Sequence, residues 1–491
     1  MLLAIGALAA QAALPAPFVA GRPWNDGQIA SLRARLDRAL RLPALRGAHV
    51  GLLAVDTQRG TPLYAREDDA EFAPASTFKL LAGSAALRYL EPGFRFVTSV
   101  SAGGTIAGGT LEGNLYLHGG GDAHLSAADL HSAAAALYQS GIRRVEGALI
   151  TDASHDDAER YPAGWSWDDL PYGYAAVVCA LELEEGIVHV YVTPGSAAGA
   201  PVSLRVEPAS TAFVIENRAT TGTAGSADST DIERPWDSPL TIRVTGSYPA
   251  GASESDDLAA SVPDPQRYAG DVFRDALNAA GVSVAGAVRE GGPSQSGTTQ
   301  SGTTLWRHES SPLPQLLAEF WLPSDNLMGE LILKELGIVR AGEPGTYANG
   351  IALEREYLRW AGIDPATVSI ADGSGLSVYD RITPRDLVTI LQSDWNGPSR
   401  ASVVAALPET GVRGTLQTLL PAGVLDGKVF AKTGSMRHTR ALAGFVATPA
   451  HGPVTFSLLV NDWLGDDGAN NSALTRAQGA ILAAFLEADS P

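Results

Sequence analysis

The sequence predicts an α/β (α+β) protein in which the two ends of the chain build one domain around a large, mainly β insert. Three observations predict it. At 491 residues the chain is too long for one ordinary core. A helix followed by a hairpin opens it, and a hairpin followed by a helix closes it, so the ends complement each other. Between about residues 92 and 259 short strand signals take over.

Gln28 to Leu42 reads as an amphipathic helix, with Ile29, Leu32, Leu36 and Leu40 on one stripe. His49 to Asp56 and Pro62 to Ala65 read as strands joined by a Gly-containing turn. A helix follows from about Ser76 to Tyr89. In the insert, Arg95 to Val100, Leu111 to Leu117, Gly147 to Thr151, Val188 to Thr193 and Leu240 to Val244 read as strands, and Ala127 to Leu137 as a helix. The clusters of Gly, Ser and Thr at 220–230 and 291–304 read as exposed loops. Leu442 to Ala447 and Val454 to Val460 are strands, and Thr475 to Glu487 the closing helix. The expected domains are therefore 23–91 with 260–491, and the insert 92–259.

Lys and Arg number 35 against 54 for Asp and Glu, a net charge of −19. A chain this acidic repels a phosphate backbone and an anionic lipid surface, which excludes nucleic acid and membrane surface as partners. The single cysteine, Cys179, has apolar neighbours and reads as a buried hydrophobe. Met1 to Ala13 is apolar, and Ala10-Gln11-Ala12 offers an A-x-A cleavage site. The segment reads as a signal peptide without the usual positive n-region; the plainer alternative is a frayed apolar end. The expected location is periplasmic or secreted, as a soluble protein with no stable membrane anchor. The oligomeric state stays open, a homo-oligomer included.

Three short motifs carry chemistry. In Pro74-Ala75-Ser76-Thr77-Phe78-Lys79, a lysine three residues after a serine on a helix shares its face, so Lys79 reaches the Ser76 hydroxyl as the base a weak alcohol nucleophile needs. The bland alternative is an N-cap and a surface lysine, but Leu80, Leu81, Ala85 and Leu87 make the helix a buried one, where a lysine is costly without a task. In Ser324-Asp325-Asn326 a hydroxyl and a carboxamide flank an aspartate that points elsewhere; Ser324 and Asn326 can shuttle a proton and hold a substrate amide. Alone, that triplet is more often a helix N-cap. In Lys432-Thr433-Gly434-Ser435-Met436, an edge strand would send Lys432 and Gly434 one way and Thr433 and Ser435 the other. Lys432 supplies charge for a carboxylate, and Gly434 removes bulk where a substrate backbone pairs with the strand. Alone it is a common turn. In this order, S-x-x-K, S-D-N and K-T-G form the set of penicillin-binding proteins and class A β-lactamases.

Spacing narrows the choice. Ser324 follows Ser76 by 324 − 76 = 248 residues, and Lys432 follows Ser324 by 432 − 324 = 108. A compact β-lactamase has a much shorter first gap; here it holds the insert. With Gly119-Gly120-Gly121-Asp122, Gly164-Trp165-Ser166-Trp167-Asp168-Asp169 and Ala371-Asp372-Gly373-Ser374-Gly375-Leu376-Ser377, the chain resembles the penicillin-binding protein 4 type of D-Ala-D-Ala carboxypeptidase/endopeptidase (peptidase family S13) from about residue 25 to 488. The resemblance implies a transpeptidase-like domain, an antiparallel sheet with helices on both faces. It implies Ser76 as nucleophile, Lys79 as base, Ser324 and Asn326 in proton transfer, Lys432 and Thr433 on the terminal carboxylate, and the N–H groups of Ser76 and Ser435 as oxyanion hole. It matches Asp169 to the position that reaches a diaminopimelate ammonium and Met436 to the one packing on its methylenes, with Tyr174 completing the pocket. The implied substrate is the peptidoglycan stem peptide, the implied covalent inhibitors are β-lactams, and no cofactor is implied. Asp380 and Ala123 depart from the family, which often has Asn and Pro there.

A serine β-lactamase or related esterase with the same S-x-x-K core is the alternative. No E-x-x-L-N pattern lies between Asn326 and Lys432, which argues against class A. An inactive binding module would have lost a motif side chain, and none is lost. No G-x-S-x-G elbow exists, and Gly373-Ser374-Gly375 lacks its spacing. The nine histidines are scattered and read as ordinary, and no H-E-x-x-H or paired-Cys pattern suggests a metal.

Overall fold

The computed structural model describes residues 18–255, 258–291, 302–420, 423–464 and 473–488. The expected signal peptide lies outside them. The chain separates into two compact units, one of residues 1–77, 321–323 and 382–491, the other of residues 78–320 and 324–381.

In the first unit the apolar runs at both ends of the chain meet in one five-stranded antiparallel sheet. Its order is Val429–Met436, Thr439–Thr448, Gly452–Asn461, His49–Asp56, Pro62–Arg66. The central strand Gly452–Asn461 is buried on both faces along nearly its whole length, with Thr455 and Ser457 buried among its apolar residues. One face packs against Asp26–Ala39 and Ala473–Ala488 through Leu32, Leu36, Leu52, Phe456, Leu458, Ile481 and Phe485. The first of these helices starts where Asn25 and Gln28 form a capping box. Pro384–Asn396 covers the other face, where Val388 meets Leu53 and Val55. This is the expected antiparallel sheet with helices on both faces.

The second unit holds three helices, Lys79–Tyr89, Asn326–Ala341 and Tyr347–Trp360, packed on one another. It also holds a mixed sheet in which Thr110–His118 is flanked by Val97–Ala107 and, in parallel, by Arg144–Val145 and Leu149–Asp152. The insert runs past its expected end at 259. Thr303–Glu309 pairs antiparallel with Val97–Ala107, Val288–Gly291 pairs parallel with Leu149–Asp152, and the helix Pro265–Ala280 packs on Ala127–Gln139. Strand edges need partners, and these strands come from beyond residue 259. Smaller three-stranded sheets occupy 187–261. Cys179 is fully buried, and burial pushes its thiol up to about 12. Among the described residues no helix is long and apolar enough to cross a membrane.

Candidate active site

Ser76 sits on a 3-10 turn, Ala75–Phe78, that runs directly into the helix beginning at Lys79. The expected single α-helix from Ser76 is thus a tighter turn first, with three residues per turn, which eclipses positions i and i+3. In the first unit this turn is pinned from several sides. Ala75 has φ 46°, a left-handed conformation that costs a residue with a Cβ about 1–2 kcal/mol. The Thr77 hydroxyl donates to Pro74 O at 2.7 Å, the Ala73 N–H donates to Asn461 Oδ1 at 2.8 Å, and Asn461 Nδ2 donates back to Ala73 O at 3.1 Å. Asn461, the last residue of the central strand, thus anchors the approach to Ser76.

The K-T-G motif lies on Val429–Met436, at the edge of the same sheet, as expected. Lys432 is fully buried, and its Nζ donates to Thr433 O at 3.0 Å. Thr433 Oγ1 pairs with Thr415 Oγ1 at 2.7 Å. A Cβ at Gly434 would lie 2.8 Å from Pro74 O and 3.1 Å from Thr77 N. The glycine makes room for the Ser76-bearing turn. Strand alternation then puts Lys432 on the face turned toward that turn. Ser435 is exposed and Met436 half-buried.

In the second unit Lys79 is fully buried, and its Nζ donates to Asn326 Oδ1 at 2.5 Å and to Ser374 O at 2.7 Å. Burial pulls the ammonium down to about 8, against the raising charges of Asp372, Asp325, Glu330 and Asp380. Asn326 opens the helix Asn326–Ala341, with Asp325 as its N-cap accepting from Met328 N at 3.2 Å. The S-D-N triplet is therefore the N-cap that its bland reading described, and it also delivers an amide to Lys79. Ser324 takes φ 69°, a left-handed conformation that turns the chain into the helix.

Asn326 Nδ2 donates to Tyr174 O at 2.7 Å, and the Tyr174 hydroxyl donates to Asp169 Oδ1 at 2.8 Å. Burial and the Asp169 carboxylate raise the Tyr174 phenol. Lys79, Asn326 and the Asp169–Tyr174 segment, distant from one another in sequence, are thus one hydrogen-bonded chain. The two tryptophans part company. Trp165 Nε1 donates to Asp372 Oδ2 at 2.9 Å and anchors the segment, while Trp167 is exposed.

Sequence reading missed Asp372, Glu330 and Asp380, all buried beside Lys79. The available signals were the segment Ala371–Ser377, noted for its resemblance alone, and Asp380, noted only as a departure from the family. The histidines are also less ordinary than expected. His155 pairs with Glu335 at 2.9 Å and Glu343 at 3.1 Å, and His124 faces Asp325 at 3.4 Å and Glu319 at 3.5 Å.

Residues 32–484 match the family described as D-Ala-D-Ala carboxypeptidase 3 (S13). The chain belongs to that family. Among S13-like relatives, it is 35% identical over 478 residues to a D-alanyl-D-alanine carboxypeptidase of Actinomadura sp. (strain R39), covering 95% of this chain and 87% of that protein. It is 25% identical over 433 residues to the D-alanyl-D-alanine carboxypeptidase DacB of Haemophilus influenzae, covering 88% of each. The crystal structure of penicillin binding protein 4 (dacB) from Haemophilus influenzae has a similar fold, with TM-score 0.81 at 24% identity over 91% of this chain and 97% of that one. A second structure of that protein, complexed with a β-lactam, gives TM-score 0.75.

Proposed function

We propose that this S13 chain is a serine D-Ala-D-Ala carboxypeptidase of peptidoglycan that works through an acyl-enzyme on Ser76 and is acylated there by penicillins. The observation that carries this reading is Lys79: a buried lysine, brought down to about 8, held by two fixed acceptors and placed three residues after Ser76. An amine of that kind is neutral often enough near pH 7 to 8 to act as a base.

Ser76 Oγ attacks the carbonyl carbon of the penultimate D-Ala while its proton passes to the Lys79 amine. The N–H groups of Ser76 and Ser435 receive the oxyanion. The C–N bond breaks as the leaving D-Ala amine takes up a proton through Lys79 and Ser324, and Asn326 holds the substrate amide. Water then hydrolyses the Ser76 ester and restores the hydroxyl. Lys432 and Thr433 hold the terminal carboxylate, a contact of the charge-assisted kind. An endopeptidase cut of a cross-link follows the same acyl-enzyme course with a longer leaving amine. Asp169 and Tyr174 are the groups assigned to recognise the side chain preceding the D-Ala pair, and Met436 the one assigned to pack on its methylenes. A substrate in the cell wall places the protein outside the cytoplasm.

Intact-mass spectrometry after incubation with benzylpenicillin tests the reading. Wild type gains one penicillin mass that persists for minutes, and Ser76→Ala gains none. Equal adducts on both proteins refute the nucleophile, and rapid penicillin turnover without a lasting adduct favours the β-lactamase alternative.

A further inference from the structure

Asp372 is fully buried, and both of its oxygens are taken. Oδ1 accepts from the N–H groups of Ser374 at 3.2 Å and Gly375 at 2.6 Å. Oδ2 accepts from the Ser377 N–H at 2.7 Å, the Ser374 hydroxyl at 3.1 Å and the Trp165 indole at 2.9 Å. Charge-assisted bonds converging on one carboxylate lock the turn 372–377 into a single shape. The turn's output is the Ser374 carbonyl, which accepts from Lys79 Nζ at 2.7 Å, while Asn326 Oδ1 accepts at 2.5 Å. A neutral amine has two N–H bonds and one lone pair. Two fixed acceptors claim the N–H bonds and so aim the lone pair.

We propose that Asp372 is a positioning residue for acyl transfer: by fixing the Ser374 carbonyl it orients the Lys79 amine so that its lone pair is available for the Ser76 proton. The inference rests on the acyl-transfer reading above. The groups around Lys79 are Asp325, Glu330, Asp372 and Asp380, and Glu354 and Tyr347 also feel the Asp372 charge. Asp380 completes the arrangement. Its Oδ1 accepts from the Ala371 N–H at 2.7 Å, and no donor reaches its buried Oδ2. Two buried carboxyls side by side cannot both ionise. Burial first, and then the Asp372 charge, raises Asp380 well above the carboxylate range. Asp380 is therefore pushed toward the neutral acid, so that no second full charge stands beside Asp372. A neutral carboxyl there presents a donor as an asparagine amide does, which explains how this chain carries Asp where the family often has Asn.

The test measures the rate of acylation by a fluorescent penicillin from pH 5 to 10, with melting temperatures alongside. In wild type the rate rises with pH as Lys79 loses its proton and levels above about 8. Asp372→Asn puts an amide with one acceptor oxygen where five donors converge, and removes a charge that favours the ammonium. Its plateau should fall about tenfold or more, and its rising limb should move to lower pH, a shift that general loss of stability does not produce. Asp380→Ala should lower the plateau several-fold, and Asp380→Asn should restore it. Trp165→Phe, which removes one donor near the surface, decides the matter if Asp372→Asn does not fold: a plateau reduced by about threefold at an unchanged melting temperature supports the role. A wild-type plateau and limb in Asp372→Asn, or a wild-type plateau in Trp165→Phe when Asp372→Asn does not fold, overturns the inference alone. Absence of a Ser76 adduct in wild type overturns the acyl-transfer reading and the inference with it.

Discussion

Gly434→Ala isolates the contact between the K-T-G strand and the turn that carries Ser76. The added Cβ would sit 2.8 Å from Pro74 O, 3.0 Å from Ala441 Cβ and 3.1 Å from Thr77 N. Comfortable contacts lie near 3.5–4 Å, so the strand and turn must part by roughly half an ångström. Two of the three neighbours are backbone atoms and cannot rotate away. Overpacking of this kind costs about 1–3 kcal/mol. If the turn takes up the strain, Ser76 moves with it. Misplacement by an ångström costs a reaction about a hundredfold, so half of that costs roughly tenfold. The assay is the second-order rate of penicillin acylation, read with the melting temperature. The expected result is a rate lower by about tenfold and a melting temperature lower by several degrees. A variant with the wild-type rate and the wild-type melting temperature would falsify the claim that Gly434 is required by the Ser76 turn.

Two further outcomes follow from the second unit. His155 and His124 are lowered by burial but raised more by Glu335 and Asp325, ending at about 9, above their unfolded value of about 6.5. Burial lifts Asp156 to about 7 and Glu330 to about 8, above their unfolded range near 4. In all four the folded state binds more protons, so their stabilisation is lost as pH rises through these values. Lys79 acts in the opposite sense, but between about 8 and its unfolded value. The melting temperature should therefore fall from pH 6 to 8, with a shallower fall in His155→Gln; a flat or rising profile in wild type contradicts the assignment. For substrate choice, two peptides ending in D-Ala-D-Ala, one with a free diaminopimelate-like amine and carboxylate and one acetylated on the amine, should differ by about tenfold or more in wild type. Asp169→Asn should erase most of that preference and leave penicillin acylation intact; a mutant that keeps the preference rules Asp169 out as the ammonium site.

The three motifs were legible because their chemistry is held in short segments: S-x-x-K and K-T-G name an alcohol, an amine and a missing side chain within a few residues. The sheet strands were legible because segments rich in β-branched and apolar residues, such as Val454 to Val460, favour a buried strand whatever surrounds them. The far end of the insert was not. Its closing strand, Thr303–Glu309, pairs with Val97–Ala107 across about two hundred residues of chain, and no local pattern records a partner so distant.

By itself the sequence determined which groups are available: the Ser76 hydroxyl, the Lys79 and Lys432 amines, the Asn326 amide, and a glycine at 434. Tertiary structure alone decided what those groups are worth. Asp372, Asp380 and Glu330 read like any solvated acids until folding buries them together, where Asp380 and Glu330 are driven toward neutrality. Burial likewise pulls the Lys79 ammonium down to about 8. Charge state depends on the dielectric surroundings and neighbours of a group, and those are fixed by packing between segments that lie hundreds of residues apart.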